Sequence, residues 1–277
     1  MAPSFLITLR EGLEAALIVG IILAYLARTG NQEKAGAVWW GVALSALVSL
    51  VAGAAIFLTA GGIRGRAEEL FEGTAMLTAA AVLTYMIFWM RRQAINIRAH
   101  LHAQVQSALE TGTVVALGTL AFVAVGREGL ETALFMFAAV RAATPLAATA
   151  GGLLGLAAAV LLGYLLYRGT YRLNLRAFFN VTSVLLLLFA AGLLAHGIHE
   201  FQEAGLIPAL VDPVWDMNGV LPESSILGSF LKALFGYNGN PSLVEALAYF
   251  SYLALVGWAY FRPPTVRELR PSPQRAR

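Results

Sequence analysis

Cysteine is absent from the 277 residues, which removes disulfides, thiolate metal sites and cysteine nucleophiles together. Charge is scarce as well. Asp, Glu, Lys and Arg make up 13% of the chain, about half of the roughly 25% usual in soluble domains. With 58% hydrophobic residues and a mean hydropathy of +0.71, this is the composition of an integral membrane protein. Period-2 alternation is missing, so a membrane barrel is excluded and helical spans remain. A basic leader is missing too, and Arg10, Glu11 and Glu14 interrupt what would be a signal core; the first helix is expected to be retained. Neither His-Glu-x-x-His nor its inverted form occurs, which argues against an enzyme of the metallohydrolase type. The basic residues fall in short loops beside apolar runs, so the sequence pI of 9.3 points to the lipid bilayer and not to nucleic acid.

A span of about 20 apolar residues crosses the hydrocarbon core. Seven candidates stand at 4–27, 37–60, 69–90, 113–140, 147–167, 177–197 and 244–261. With seven spans, the N-terminus and the loops after spans two, four and six share a side holding Arg64, Arg66, Arg141 and Lys232. The other side holds Arg28, Lys34, Arg91, Arg92, Arg98, Arg168, Arg172 and Arg176, and the tail arginines at 262, 267, 270, 275 and 277. The positive-inside rule then puts the C-terminus in the cytoplasm and the N-terminus outside.

What the apolar runs do contain is one pentapeptide twice, Arg10-Glu11-Gly12-Leu13-Glu14 and Arg127-Glu128-Gly129-Leu130-Glu131. A charged residue at the bilayer centre costs about 3 kcal/mol or more, so six placed alike in two apolar helices imply a function. Each motif opens a set of three spans. An odd number of spans inserts the second set upside down, as in the inverted repeats of secondary transporters, whose substrate site lies near the midplane between repeats. The expected fold is therefore an all-α membrane protein with seven transmembrane helices: two inverted three-helix repeats and one extra helix. Residues 1–112 make the first repeat and a cytoplasmic connector, 113–200 the second repeat, 201–243 an external loop, and 244–277 the seventh helix and a basic tail.

Residues three or four apart share a helix face, so Glu11 projects with Glu14 and Glu128 with Glu131. Arg10 and Arg127 can reach Glu14 and Glu131, and the glycine in each motif admits a close neighbour. Four carboxylates around one point make an all-oxygen cage for a hard cation. Taken alone, each motif also reads as an Arg–Glu bridge between helices. A second constellation lies at the outer surface, where span three begins with Glu68, Glu69 and Glu72 and span six ends with His196, His199, Glu200 and Glu203. Such an acidic vestibule would gather cations, with Glu72, His199 and Glu200 as candidate ligands; water-facing interfacial residues are the plainer reading. His100 and His102 read mainly as loop residues. Trp39, Trp40, Trp89 and Trp258 fit interfacial belts, and Gly151 and Gly155 form a helix-packing pair that leaves a homo-oligomer open.

At these residues the chain resembles the oxidase-dependent ferric iron permeases, whose signature is a pair of Arg-Glu-x-x-Glu motifs in the first and fourth of seven membrane helices. The resemblance covers roughly residues 4 to 200. It implies import of ferric iron across the inner or plasma membrane, with the metal as substrate and no permanently bound cofactor. It makes Glu11, Glu14, Glu128 and Glu131 iron ligands and Arg10 and Arg127 their supports. It also implies a separate ferroxidase or periplasmic iron-delivery protein. Relatives of the same shape are linked to lead uptake, so a transporter of lead or a divalent metal, proton-coupled through the same glutamates, is the alternative.

Overall fold

The structure is a computed structural model and describes residues 1–61, 64–93, 97–110, 114–141, 145–168 and 174–262. The tail from 263 and the side chains of His100 and His102 lie outside the described residues. No strand occurs among those described. Seven helices are long: α1 (Ala2–Arg28), α2 (Ala35–Gly61), α3 (Arg66–Gln93), α5 (Val114–Arg141), α6 (Pro145–Tyr167), α7 (Leu175–Glu203) and α9 (Leu243–Phe261). Two are short, α4 (Ile97–Glu110) and α8 (Ile226–Phe235).

Five of the long helices, α2, α3, α6, α7 and α9, are apolar and long enough to cross a membrane. Helices α1 and α5 are as long, but each carries the three charges of a motif. Starts are set by local chemistry. Asn174 Oδ1 accepts from Ala177 N at the head of α7. Ser242 and Glu245 form a capping box at the head of α9, which satisfies two backbone donors that the helix cannot.

The long helices pack in a crossed arrangement. Each motif-bearing helix lies along the second helix of the other half: α1 along α6, and α5 along α2. Small residues make this close approach possible. A Cβ added at Gly12 would sit 2.8 Å from Ala159 Cβ, and one at Gly129 would sit 2.2 Å from Ser49 Oγ. Gly151 abuts Met1, the residue before α1, and Gly155 abuts Phe5 and Thr8 of α1, so that pair packs within the chain. Helix α3 lies on α7, and α7 also carries α8 and α9.

Two apolar clusters bracket the motifs. One contains Ile7, Met76, Ala79, Leu83, Phe135, Ala138, Leu186 and Phe189, from α1, α3, α5 and α7. The other contains Ile18, Ile22 and Leu26 of α1, Val105 of α4, and Leu117, Ala121 and Val125 of α5. Helix α4 thus closes one end of the α1–α5 seam.

The stretch expected as an external loop contains a helix packed on α7. Helix α8 descends beside α7 until its cap, Gly236, meets Gly192, where a Cβ on Gly192 would lie 2.6 Å from Gly236 Cα. Gly192 stands eleven residues before the end of α7, about 16 Å along the axis. Gly236 adopts φ +67°, a left-handed cap that glycine reaches without steric cost. Tyr249 of α9 donates to the Phe235 carbonyl at 2.6 Å, and Lys232 bonds Glu223 at 2.5 Å.

Candidate metal centre

The crossing of α1 and α5 brings the motifs face to face. Ligand oxygens of Glu11, Glu128 and Glu131 lie within 4.8 Å of one another. Among the described residues this is the one group of three or more possible metal-ligating side chains so close. Glu14, expected as a fourth ligand, stands outside this triad, with its Oε1 3.2 Å from Arg10 Nε. Arg10 also lies 3.6 Å from Glu11. In the second motif Arg127 Nε donates to Glu131 Oε1 at 3.0 Å and lies 3.5 Å from Glu128.

The halves are not equivalent in exposure. The Arg10 side chain is 0% exposed and that of Arg127 40%. Arg127 lays its guanidinium 4.1 Å from the centre of the Trp89 ring, a cation–π contact that takes the place of part of its hydration. The lettering placed Trp89 in an interfacial belt, and its contact with the second motif was not legible there.

Hydrogen bonding leaves this centre unsatisfied. Both oxygens of Glu11, Oε1 of Glu14, Oε2 of Glu128 and Oε2 of Glu131 are buried without a donor, and all three guanidinium nitrogens of Arg10 lack an acceptor in hydrogen-bond geometry. Buried polar atoms are normally paired, and an orphan costs about 1–3 kcal/mol. Of these five buried carboxylate oxygens, Glu11 Oε1 and Glu14 Oε1 face the Arg10 guanidinium, while Oε2 of Glu11, Glu128 and Glu131 have no donor and leave a demand for positive charge. The set contains oxygen alone, which fits hard cations.

Glu72, His199 and Glu200 are not gathered into such a set. Glu72 bonds Arg141 at the end of α5, and Glu68 lies 3.6 Å from the same guanidinium. His199 ties α7 to α9, its Nδ1 3.1 Å from Glu245 Oε1 and its Nε2 3.4 Å from Glu203. Glu245 is itself buried and accepts from Asn238 Nδ2 at 2.8 Å. Glu245 carries no mark of a site residue in the sequence beyond the capping-box spacing Ser242-x-x-Glu245. Arg141 likewise has only the sequence signature of a loop charge.

Fold and centre together define a class: an integral, multi-pass helical membrane protein with a desolvated carboxylate cluster where two motif-bearing helices cross. The family model described as "Iron permease FTR1 family" matches residues 1–268. The chain is 42% identical over 266 residues to the ferrous iron permease EfeU of Yersinia pestis, covering 95% of this chain and 94% of that one. It is 44% identical over 266 residues to the protein of that name from Escherichia coli O6:H1, covering 95% and 96%. No solved structure matches it. The chain belongs to the FTR1 iron permease family.

Proposed function

We propose that this permease imports iron through the site where α1 and α5 cross, with Glu11, Glu128 and Glu131 as ligands and Glu14 as the charge partner of Arg10. The observation that carries this is the convergence of Glu11, Glu128 and Glu131 within 4.8 Å, each with a buried oxygen that lacks a donor. All seven long helices span the bilayer, α1 and α5 included, because Arg10, Glu11, Glu14 and Glu128 are buried and Arg127 is paired with Glu131 and partly covered by Trp89. The two halves are inverted repeats, which the crossed pairing of α1 with α6 and α5 with α2 supports. The N-terminus is outside and the arginine-rich side cytoplasmic.

The ion at the centre is ferric. Carboxylates favour the harder, more highly charged ion, and a separate ferroxidase or iron-delivery protein supplies it. Ferrous iron is the second reading, favoured by the names of the relatives. Uptake into proteoliposomes, with ferric and ferrous iron offered separately, decides between them. Wild type is run beside Glu11→Gln/Glu131→Gln. Ferric uptake lost in the variant supports the proposal. Uptake of ferrous iron alone keeps the site and discards the oxidase. Uptake untouched by the variant overturns the site.

A further inference from the structure

A cation reaching the glutamates from outside meets a closed seam. The outer ends of α3 and α5 are where Glu72 and Arg141 stand. One turn inward of Glu72 is Met76; one turn outward of Glu11 and Glu131 are Ile7 and Phe135. These three pack in one cluster with Ala79 and Ala138, all nearly or fully inaccessible. A constriction lined this way excludes water and hence a hydrated ion. Passage requires α3 to part from α1 and α5.

Something holds that seam shut. Arg141 of α5 bonds Glu72 of α3 and lies 3.6 Å from Glu68. Its guanidinium sits 5.4 Å from the centre of the Phe137 ring. Phe137 in turn meets Phe71 of α3 and Phe57 of α2 edge-on, at centroid distances of 5.8 and 5.4 Å. Helices α3 and α5 otherwise touch little, since α3 lies mainly on α7 and α5 mainly on α2. The ion pair joins two helices over the seal whose main packing partners lie elsewhere.

We propose that the Arg141–Glu72 pair is the outer latch of the permeation route, released when an incoming cation takes the Glu72 carboxylate from Arg141. Arg141 is here a gating residue, which touches neither the inner triad nor the ion held there. The latch rests on the outside-to-inside orientation given under Proposed function.

The absence of native cysteine makes the test direct. Ala138 is 0% exposed within the seal, three residues before Arg141. Ala138→Cys protein in sealed, oriented vesicles is treated from the outside with a membrane-impermeant thiol reagent, and the labelling rate is measured. Labelling is slow in this background and about tenfold faster with Arg141→Ala or Glu72→Gln added, as expected when a closed state loses its bias. Arg141→Lys, which keeps the charge, stays slow and controls for misfolding. Ferric iron outside speeds labelling of the background protein. Equal rates with and without Arg141→Ala overturn the latch, as does fast labelling with Arg141→Lys in protein that elutes as a single species.

The readout does not depend on iron transport. Labelling that responds to Arg141→Ala in protein that takes up no iron keeps the latch and removes the iron reading. Labelling that does not respond, in protein whose iron uptake needs Glu131, does the reverse.

Discussion

Glu11 of α1 and Glu128 of α5 hold carboxylate oxygens within 4.8 Å of each other, from corresponding positions of two pentapeptides in different halves of the chain. Neither carboxylate can bind a cation alone in an apolar surrounding without a large desolvation cost. On the proposed reading, Glu131 joins them to share one ion. The crossing of two helices thus does what a single motif cannot.

Replacing Glu11, Glu128 or Glu131 with Gln is expected to lower iron affinity by more than about 100-fold, beyond the 10–100-fold that outer-shell changes cost. Glu14→Gln is expected to stay within that outer-shell range, because Glu14 acts through Arg10. Equilibrium binding of iron to purified protein in detergent measures both. A loss for Glu14→Gln as large as that for Glu131→Gln would return Glu14 to the ligand set.

The motif glycines are contact sites. Gly129→Ala drives a methyl group into Ser49 and Gly12→Ala drives one into Ala159, an overpacking expected to cost about 1–3 kcal/mol each. Thermal unfolding in detergent should show the loss. Ser49→Gly should restore Gly129→Ala, and Ala159→Gly should restore Gly12→Ala. Failure of both rescues would mean the glycines serve the site and not the packing.

Trp89 is expected to matter through its ring. Trp89→Phe keeps a face for Arg127 and should retain most uptake. Trp89→Leu removes a contact of about 0.5–2 kcal/mol, and uptake should fall several-fold. Equal uptake by the two variants would reduce Trp89 to a lipid anchor.

The outer segment has its own pH response. Burial raises the Glu223 carboxyl, but the Lys232 hydrogen bond, the Gly239 N–H and the Lys232 charge outweigh it and hold the group below the ordinary carboxylate value. A group depressed on folding stabilises the fold above its unfolded pKa, about 4.3 for Glu. That stabilisation is lost as the pH falls through the lower folded value. Protection factors for hydrogen exchange over 216–240 should therefore fall in acid below about pH 4, and Glu223→Gln should lower them already at neutral pH. Exchange in Glu223→Gln that matches wild type at pH 7 would mean the pair does not anchor α8.

The seven long helices were legible because an apolar run of span length leaves few options. The predicted 37–60 and 244–261 became Ala35–Gly61 and Leu243–Phe261. The motif pairing was legible for the same reason, since charges in such runs must find each other. Helix α8 was not: ten residues are too few to register as a span, and its depth is set by Gly192 and Gly236, far apart in sequence. Arg141 looked like any loop-flanking arginine until α3 placed Glu72 beside it. His199 looked like a ligand because Glu245, its buried partner, lies 46 residues away.

The descent of α8 limits what the outside world can touch. On the proposed orientation, residues 205–220 are largely exposed, whereas Gly239, Pro241 and Ser242 are buried. An antibody raised against a peptide from 235–242 would find little of it on the folded protein, where Asn240 is the one exposed residue of that stretch. An epitope tag inserted at Gly236 would wedge α7 from α8, whereas one within 208–213, exposed throughout, would leave that contact intact.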